Sequence, residues 1–171
     1  MMKMKLFFAT LLAVLTLSSQ SYGQTFNKKD KFDLSASLYH RMNGEPSFTR
    51  LGSIAFAYKV SPTLGVGLDF TTNGSLLTKN RGLETYAFSL KVSHLGINEG
   101  RFRLVPSLGL GAVTGTILGL NYTHLFLDCS VEAQYFLTNN IYCGVQLRYL
   151  TERAEYAIAH NLLGIKFGST F

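Results

Sequence analysis

Four histidines are the first residues in this 171-residue chain with the chemistry for catalysis: His40, His94, His124 and His160. An imidazole titrates near neutral pH and serves as base, acid or metal ligand. None of the four has a His or carboxylate partner at a spacing that defines a metal site. A nucleophilic hydrolase needs a histidine oriented beside a serine or carboxylate. Glu152 and Glu155 lie near His160 in sequence, but no His-x-Ser motif occurs. Two cysteines, Cys129 and Cys143, exclude a dense disulfide framework and a four-thiolate zinc site. No residue is therefore assigned a catalytic, cofactor-binding or metal-binding role, no cofactor is expected, and the chain reads as a non-enzyme.

Lys and Arg total 16 against 10 Asp and Glu, a formal +6. That balance suits nucleic acid, but the basic residues are divided among the N-terminal segment, the strand interiors and one cluster of connections. Nucleic-acid binding drops out. Arg41, Arg50, Lys79, Arg81 and Arg153 fall in those connections and suit either anionic lipid head groups or an ordinary solvated surface.

The elements that position these residues follow from composition and periodicity. The chain is 47% hydrophobic and only 15% charged, where soluble domains carry roughly 25% charge. Lys3 and Lys5 precede a short apolar run, Leu6 to Leu17, and a polar stretch, Ser18 to Gly23. This is the layout of a secretory signal, and a run of this length is too short to span about 30 Å of hydrocarbon. Small residues at Ser21 and Gly23 place cleavage before Gln24. Residues 1–23 are then a signal peptide and residues 24–171 the single mature domain. No later run approaches a spanning helix, since Leu104 to Leu120 is interrupted by Pro106 and four glycines. Entry into a membrane would require strands.

Eight segments alternate with period two. Phe32, Leu34, Ala36 and Leu38 oppose Asp33, Ser35, Ser37 and Tyr39. Ile54, Phe56, Tyr58 and Val60 oppose Ser53, Ala55, Ala57 and Lys59. The third segment sets Leu64, Val66, Leu68 and Phe70 against Gly65, Gly67, Asp69 and Thr71. The fourth sets Tyr86, Phe88, Leu90 and Val92 against Thr85, Ala87, Ser89 and Lys91. The fifth runs Arg103 to Ala112, the sixth His124 to Tyr135, the seventh Ile141 to Tyr149, and the eighth Leu163 to Phe171.

The apolar face of all eight carries no charge. The other face carries Lys59, Lys91, Arg103, Arg148 and Lys166 with Asp33, Asp69, Asp128 and Glu132, interleaved with Gly and Ser. Mutually neutralising charges among small residues suit a narrow lumen, and an apolar outer band suits lipid. Lipid offers no hydrogen-bond partner, so the sheet must close. The expectation is an all-β, eight-stranded, antiparallel up-and-down transmembrane β-barrel.

The connections alternate in length. One rim holds His40 to Phe48, Thr72 to Gly82, Val113 to Asn121 and Thr151 to His160; the other holds Ser61 to Thr63, His94 to Arg101 and Thr138 to Asn140. His40, His124 and His160 lie near the first rim. Pro106 is the awkward residue, because proline cannot donate to a ladder. Phe32, Tyr58, Tyr135 and Phe171 are expected at one interface and Phe70, Tyr86 and Tyr149 at the other. Cys143 should pair near Ala133 to Tyr135, leaving Cys129 roughly 15–20 Å away at about 3.3 Å per residue. That exceeds the reach of a disulfide, so two free thiols are expected.

With this alternation, the run Gly65-Val66-Gly67-Leu68-Asp69-Phe70 and the terminal strand Leu163 to Phe171, the mature chain resembles the small eight-stranded outer-membrane barrels of the OmpX and OmpA-barrel type. Ser169, at the third position from the end, and the absence of Trp depart from that pattern. The resemblance implies residence in the outer membrane among its lipids and lipopolysaccharide. A monomer with a structural or surface-interaction role is expected, without an open pore because eight strands leave an interior about filled by side chains. The resemblance also implies assembly by the barrel-assembly machinery through the strand ending in Phe171. Some barrels of this kind modify lipid A, so an acyl hydrolase or acyltransferase is the alternative. A soluble periplasmic eight-stranded ligand carrier is the second.

Overall fold

The computed structural model of the protein describes residues 31–42, 50–73, 83–95, 97–117, 120–152 and 160–171. The expected signal peptide lies outside them, as do Lys79, Arg81, Arg153 and Glu155. The described residues form nine strands: β1 Phe32–Arg41, β2 Arg50–Lys59, β3 Leu64–Asn73, β4 Leu83–His94, β5 Ile97–Glu99, β6 Phe102–Ile117, β7 Leu120–Phe136, β8 Ile141–Glu152 and β9 His160–Thr170. All pairings are antiparallel. β1 pairs with both β2 and β9, and β4 pairs with β6, so eight strands close into a ring with β5 as a short tab on β6.

Alternation fixes the register, because a slip of one residue would turn every apolar side chain into the lumen. Ala36 pairs with Ile54, Ile54 with Phe70, and Phe70 with Phe88, keeping outward residues beside outward residues around the wall. The ring is sealed at one end by reciprocal backbone bonds: Phe32 N–H donates to Phe171 O at 2.8 Å, and Phe171 N–H donates to Phe32 O at 2.9 Å. This end is the terminal rim, and the opposite end the loop rim.

Outside, the large apolar residues are exposed, among them Leu34, Ile54, Leu90, Leu110, Leu125, Val145 and Ile165. Aromatics gather at both ends of this belt, as expected. Phe32 stacks on Phe56 and Phe171 and lies against Tyr58 at the terminal rim, while Phe70 stacks on Tyr86 toward the loop rim.

Three features differ from the sequence expectation. The connection expected over Val113 to Asn121 is mostly strand: β6 and β7 continue in register until Ile117 meets Leu120, so only residues 118–119 connect them. Thr114, Thr116, Tyr122 and Thr123 favour extended backbone and prolong the hairpin. Second, the connection His94 to Arg101 contains β5 and a tight turn in which Gly100 has φ of 57°, a conformation that suits glycine. Third, Pro106 sits well inside β6. The ladder from β4 ends at Ser107, and that from β5 begins at Leu104. Proline thus occupies the gap between two partner strands, where no ladder bond is asked of its nitrogen.

Candidate functional site: a divided lumen

The inward face of every strand builds the lumen, which has three levels. Nearest the loop rim is an apolar septum of Tyr39, Ala87, Val113, Phe126, Leu150 and Leu162, with Leu51 packed against it. These residues come from six different strands, so the septum spans the barrel. Sequence reasoning missed it. Leu150 and Leu162 adjoin the outward Tyr149 and Leu163, and where both faces are apolar, alternation no longer distinguishes inside from outside.

Aromatic rings fit into this narrow space because glycines face them. Tyr39 pairs with Gly164, Phe126 with Gly111, and Tyr142 with Gly168. A Cβ added at any of the three glycines would collide with the ring of its cross-strand partner.

Below the septum lies a buried ion network. Arg148 is fully buried; its Nη2 lies 2.6 Å from Asp128 Oδ2 and 3.0 Å from Asp69 Oδ1, and its Nη1 donates to Thr71 Oγ1 at 2.8 Å. Lys91 Nζ lies 3.0 Å from Asp128 and 3.5 Å from Asp69. Thr71 and Ser89 donate to the two carboxylates. The Arg148 guanidinium also lies 5.5 Å from the Tyr39 ring centre, joining network to septum, while Tyr39 OH donates to Gln146 Oε1 at 2.6 Å.

A second network occupies the terminal side. Lys166 Nζ donates to Glu132 at 2.7 Å, and Gln134 donates to the other Glu132 oxygen at 2.6 Å. Arg103 Nε donates to Gln134 at 2.6 Å; its Nη2 lies 3.5 Å from Asp33, which accepts from Tyr142 OH at 2.7 Å. Beside this network is a cavity of about 60 Å³, which reaches Lys59, Leu95 and Arg103 at the terminal rim.

All four lumen carboxylates expected from sequence thus pair with lumen cations. The other candidates do not come together. His40 is exposed on the outer face, whereas His124 lies in register with inward Val113. His160 is placed by backbone alone, across from Leu150. His94 is at the opposite rim, with Nδ1 2.8 Å from Thr63 O. No cluster of His, Cys, Asp and Glu suited to a metal occurs among the described residues. Of the basic cluster, Arg41 lies at the loop rim, and only the backbone of Arg50 is described. Cys143 pairs with Tyr135 and Cys129 with Tyr149, and both thiols are free. Cys129 is fully buried on the outer face, in register between Leu108 and Tyr149.

No family model and no curated protein matches the sequence. Solved structures do resemble the fold. The N-terminal β-barrel domain of Pseudomonas aeruginosa OprF superposes with a TM-score of 0.67 at 14% identity, over 84% of this chain and 98% of that one. Neisserial surface protein A gives 0.57 at 17% identity, over 82% and 97%. A de novo designed transmembrane β-barrel gives 0.57 at 13% identity, over 85% and 98%. At such identities the shared property is the wall itself: strand number, closure and an apolar exterior. The chain has the fold of the small eight-stranded outer-membrane β-barrels.

Proposed function

We propose that the protein is an integral outer-membrane barrel with a structural or surface-interaction role, exported by a cleaved signal peptide at residues 1–23. One observation carries this reading: a closed ladder that exposes its large apolar residues while burying Arg148, Asp128, Asp69 and Lys91 inside. A soluble carrier would place these faces the other way round. The termini then face the periplasm and the longer connections the exterior, among lipids and lipopolysaccharide. The strand ending in Phe171 is what the barrel-assembly machinery reads, and the barrel works as a monomer. The role is non-catalytic, supported by the separation of His40 from His124 on opposite faces.

Electrophoretic mobility of the detergent-extracted membrane fraction, boiled against unboiled, tests the reading. A heat-dependent shift, with the protein retained in outer membranes after carbonate, is expected. Release by carbonate without a shift would overturn it in favour of the soluble carrier.

A further inference from the structure

The lumen below the septum is blind. Its cavity reaches the terminal rim beside Arg103 and extends inward to Asp69, Lys91 and Gln146, the residue that accepts from Tyr39 of the septum. The space exists because the inward residues of β2 and β3 at this level include Ala55, Ala57, Gly65 and Gly67. The charges around it are matched. Lys91 meets Asp69 and Asp128, Lys166 meets Glu132, and Arg103 meets Asp33. Such walls select no ion of either sign. They suit a neutral occupant that both donates and accepts hydrogen bonds.

The ion pairs leave donors over. An ammonium carries three N–H groups, and among the described residues the Lys166 ammonium donates to Glu132 alone, at 2.7 Å. A buried pair is favourable only when its remaining protons and lone pairs also find partners. Ser130 Oγ is an independent case. It is fully buried without a hydrogen-bond partner, on the residue in register with the cavity-lining Ser107. A hydroxyl left in that state costs free energy, and ordered water is the usual remedy. At about 60 Å³ the cavity has room for roughly four water molecules at about 15 Å³ each. Ser93 and Ser107, whose hydroxyls lie 2.8 Å apart, and Lys91 and Gln146 offer them polar partners.

We infer that the cavity is a hydration site, a one-sided vestibule whose ordered water enters from the terminal rim and completes the hydrogen bonding of the lumen pairs and Ser130. The septum stops the water there, so the ion network exchanges with solvent at one end of the barrel and is dry toward the other. This rests on the geometry of the lumen and not on membrane residence.

Water-to-protein nuclear Overhauser spectra of the purified protein in detergent micelles test it. Cross-peaks from bound water are expected at Ser93, Ser107 and Lys91, and none at the septum methyls of Val113 and Leu162. Ala57→Leu fills the cavity without touching an ion pair, and should abolish the Ser107 and Lys91 cross-peaks while leaving the heat-dependent mobility shift intact. Ser35→Leu fills the same space from β1 if Ala57→Leu fails to fold. Ser130→Ala separates a hydrated hydroxyl from an empty one. Where water bonds the hydroxyl, its removal lowers the urea midpoint; where nothing does, removal relieves an unmet polar group and raises it. A lowered midpoint is expected. A raised midpoint, absent cross-peaks at Ser93 and Ser107, cross-peaks that survive cavity filling, or equal cross-peaks at the septum methyls would each overturn the inference.

Discussion

Arg148 carries more of the interior than any other residue, since it is the side chain through which the septum, Asp69, Asp128 and Thr71 are all connected. Removing one member of a buried ion pair costs about 3–5 kcal/mol, because the partner charge stays behind without compensation. Arg148→Ala should therefore lower the stability of the folded barrel by that order, measured by urea titration in lipid vesicles. Asp128→Asn combined with Arg148→Met should be milder than Arg148→Ala, since less charge is stranded. Gly164 makes a different demand, for space. Gly164→Ala would drive a methyl into the Tyr39 ring and should destabilise by about 1–3 kcal/mol, as overpacking does. Adding Tyr39→Ala should remove most of that penalty, giving a coupling energy in a double-mutant cycle. The charges of this interior were legible in the sequence because each sat alone among small residues. The Gly–aromatic pairs were not, because they depend on which residues meet across β1–β9, β6–β7 and β8–β9.

At the scale of the strand, period-two alternation carried most of the information. A residue such as Ile54, between Ser53 and Ala55, has only one face that lipid will accept. Ile54→Arg, at an outward position midway along β2, should cost about 2–4 kcal/mol. Bilayer refolding yields would report the loss, while the same protein in detergent should lose less. Alternation weakens wherever two neighbours are both apolar or both small, which is why Leu150, Leu162 and the long β6–β7 hairpin escaped it. Pro106 looked misplaced in one strand because its sequence reveals nothing about the neighbour. Only the handover from β4 to β5 along β6 makes the position harmless. The turn Thr138 to Asn140, by contrast, was evident locally. Thr138 Oγ1 accepts from the Ile141 N–H at 3.0 Å, a short-range bond that Thr and Ser supply in turns.

The whole barrel combines a wall that meets lipid with an interior that blocks passage twice, by an apolar septum and by an ion network beneath it. Eight strands already leave little room beyond their own side chains, and the septum fills that room at the loop end. The two barriers differ in kind. The ion network is polar and can be hydrated without losing its attractions, whereas water in the septum would have no partners among Phe126, Leu150 and Leu162. The septum should therefore be what prevents conduction. Reconstituted into a planar bilayer, the unaltered protein should show no steady ion current. Phe126→Ala with Leu150→Ala and Leu162→Ala should produce discrete conducting events while retaining the heat-dependent mobility shift. The cavity at the terminal side would then join the loop-side solvent. If the triple variant folds and stays electrically silent, the Arg148–Asp128 network alone closes the barrel.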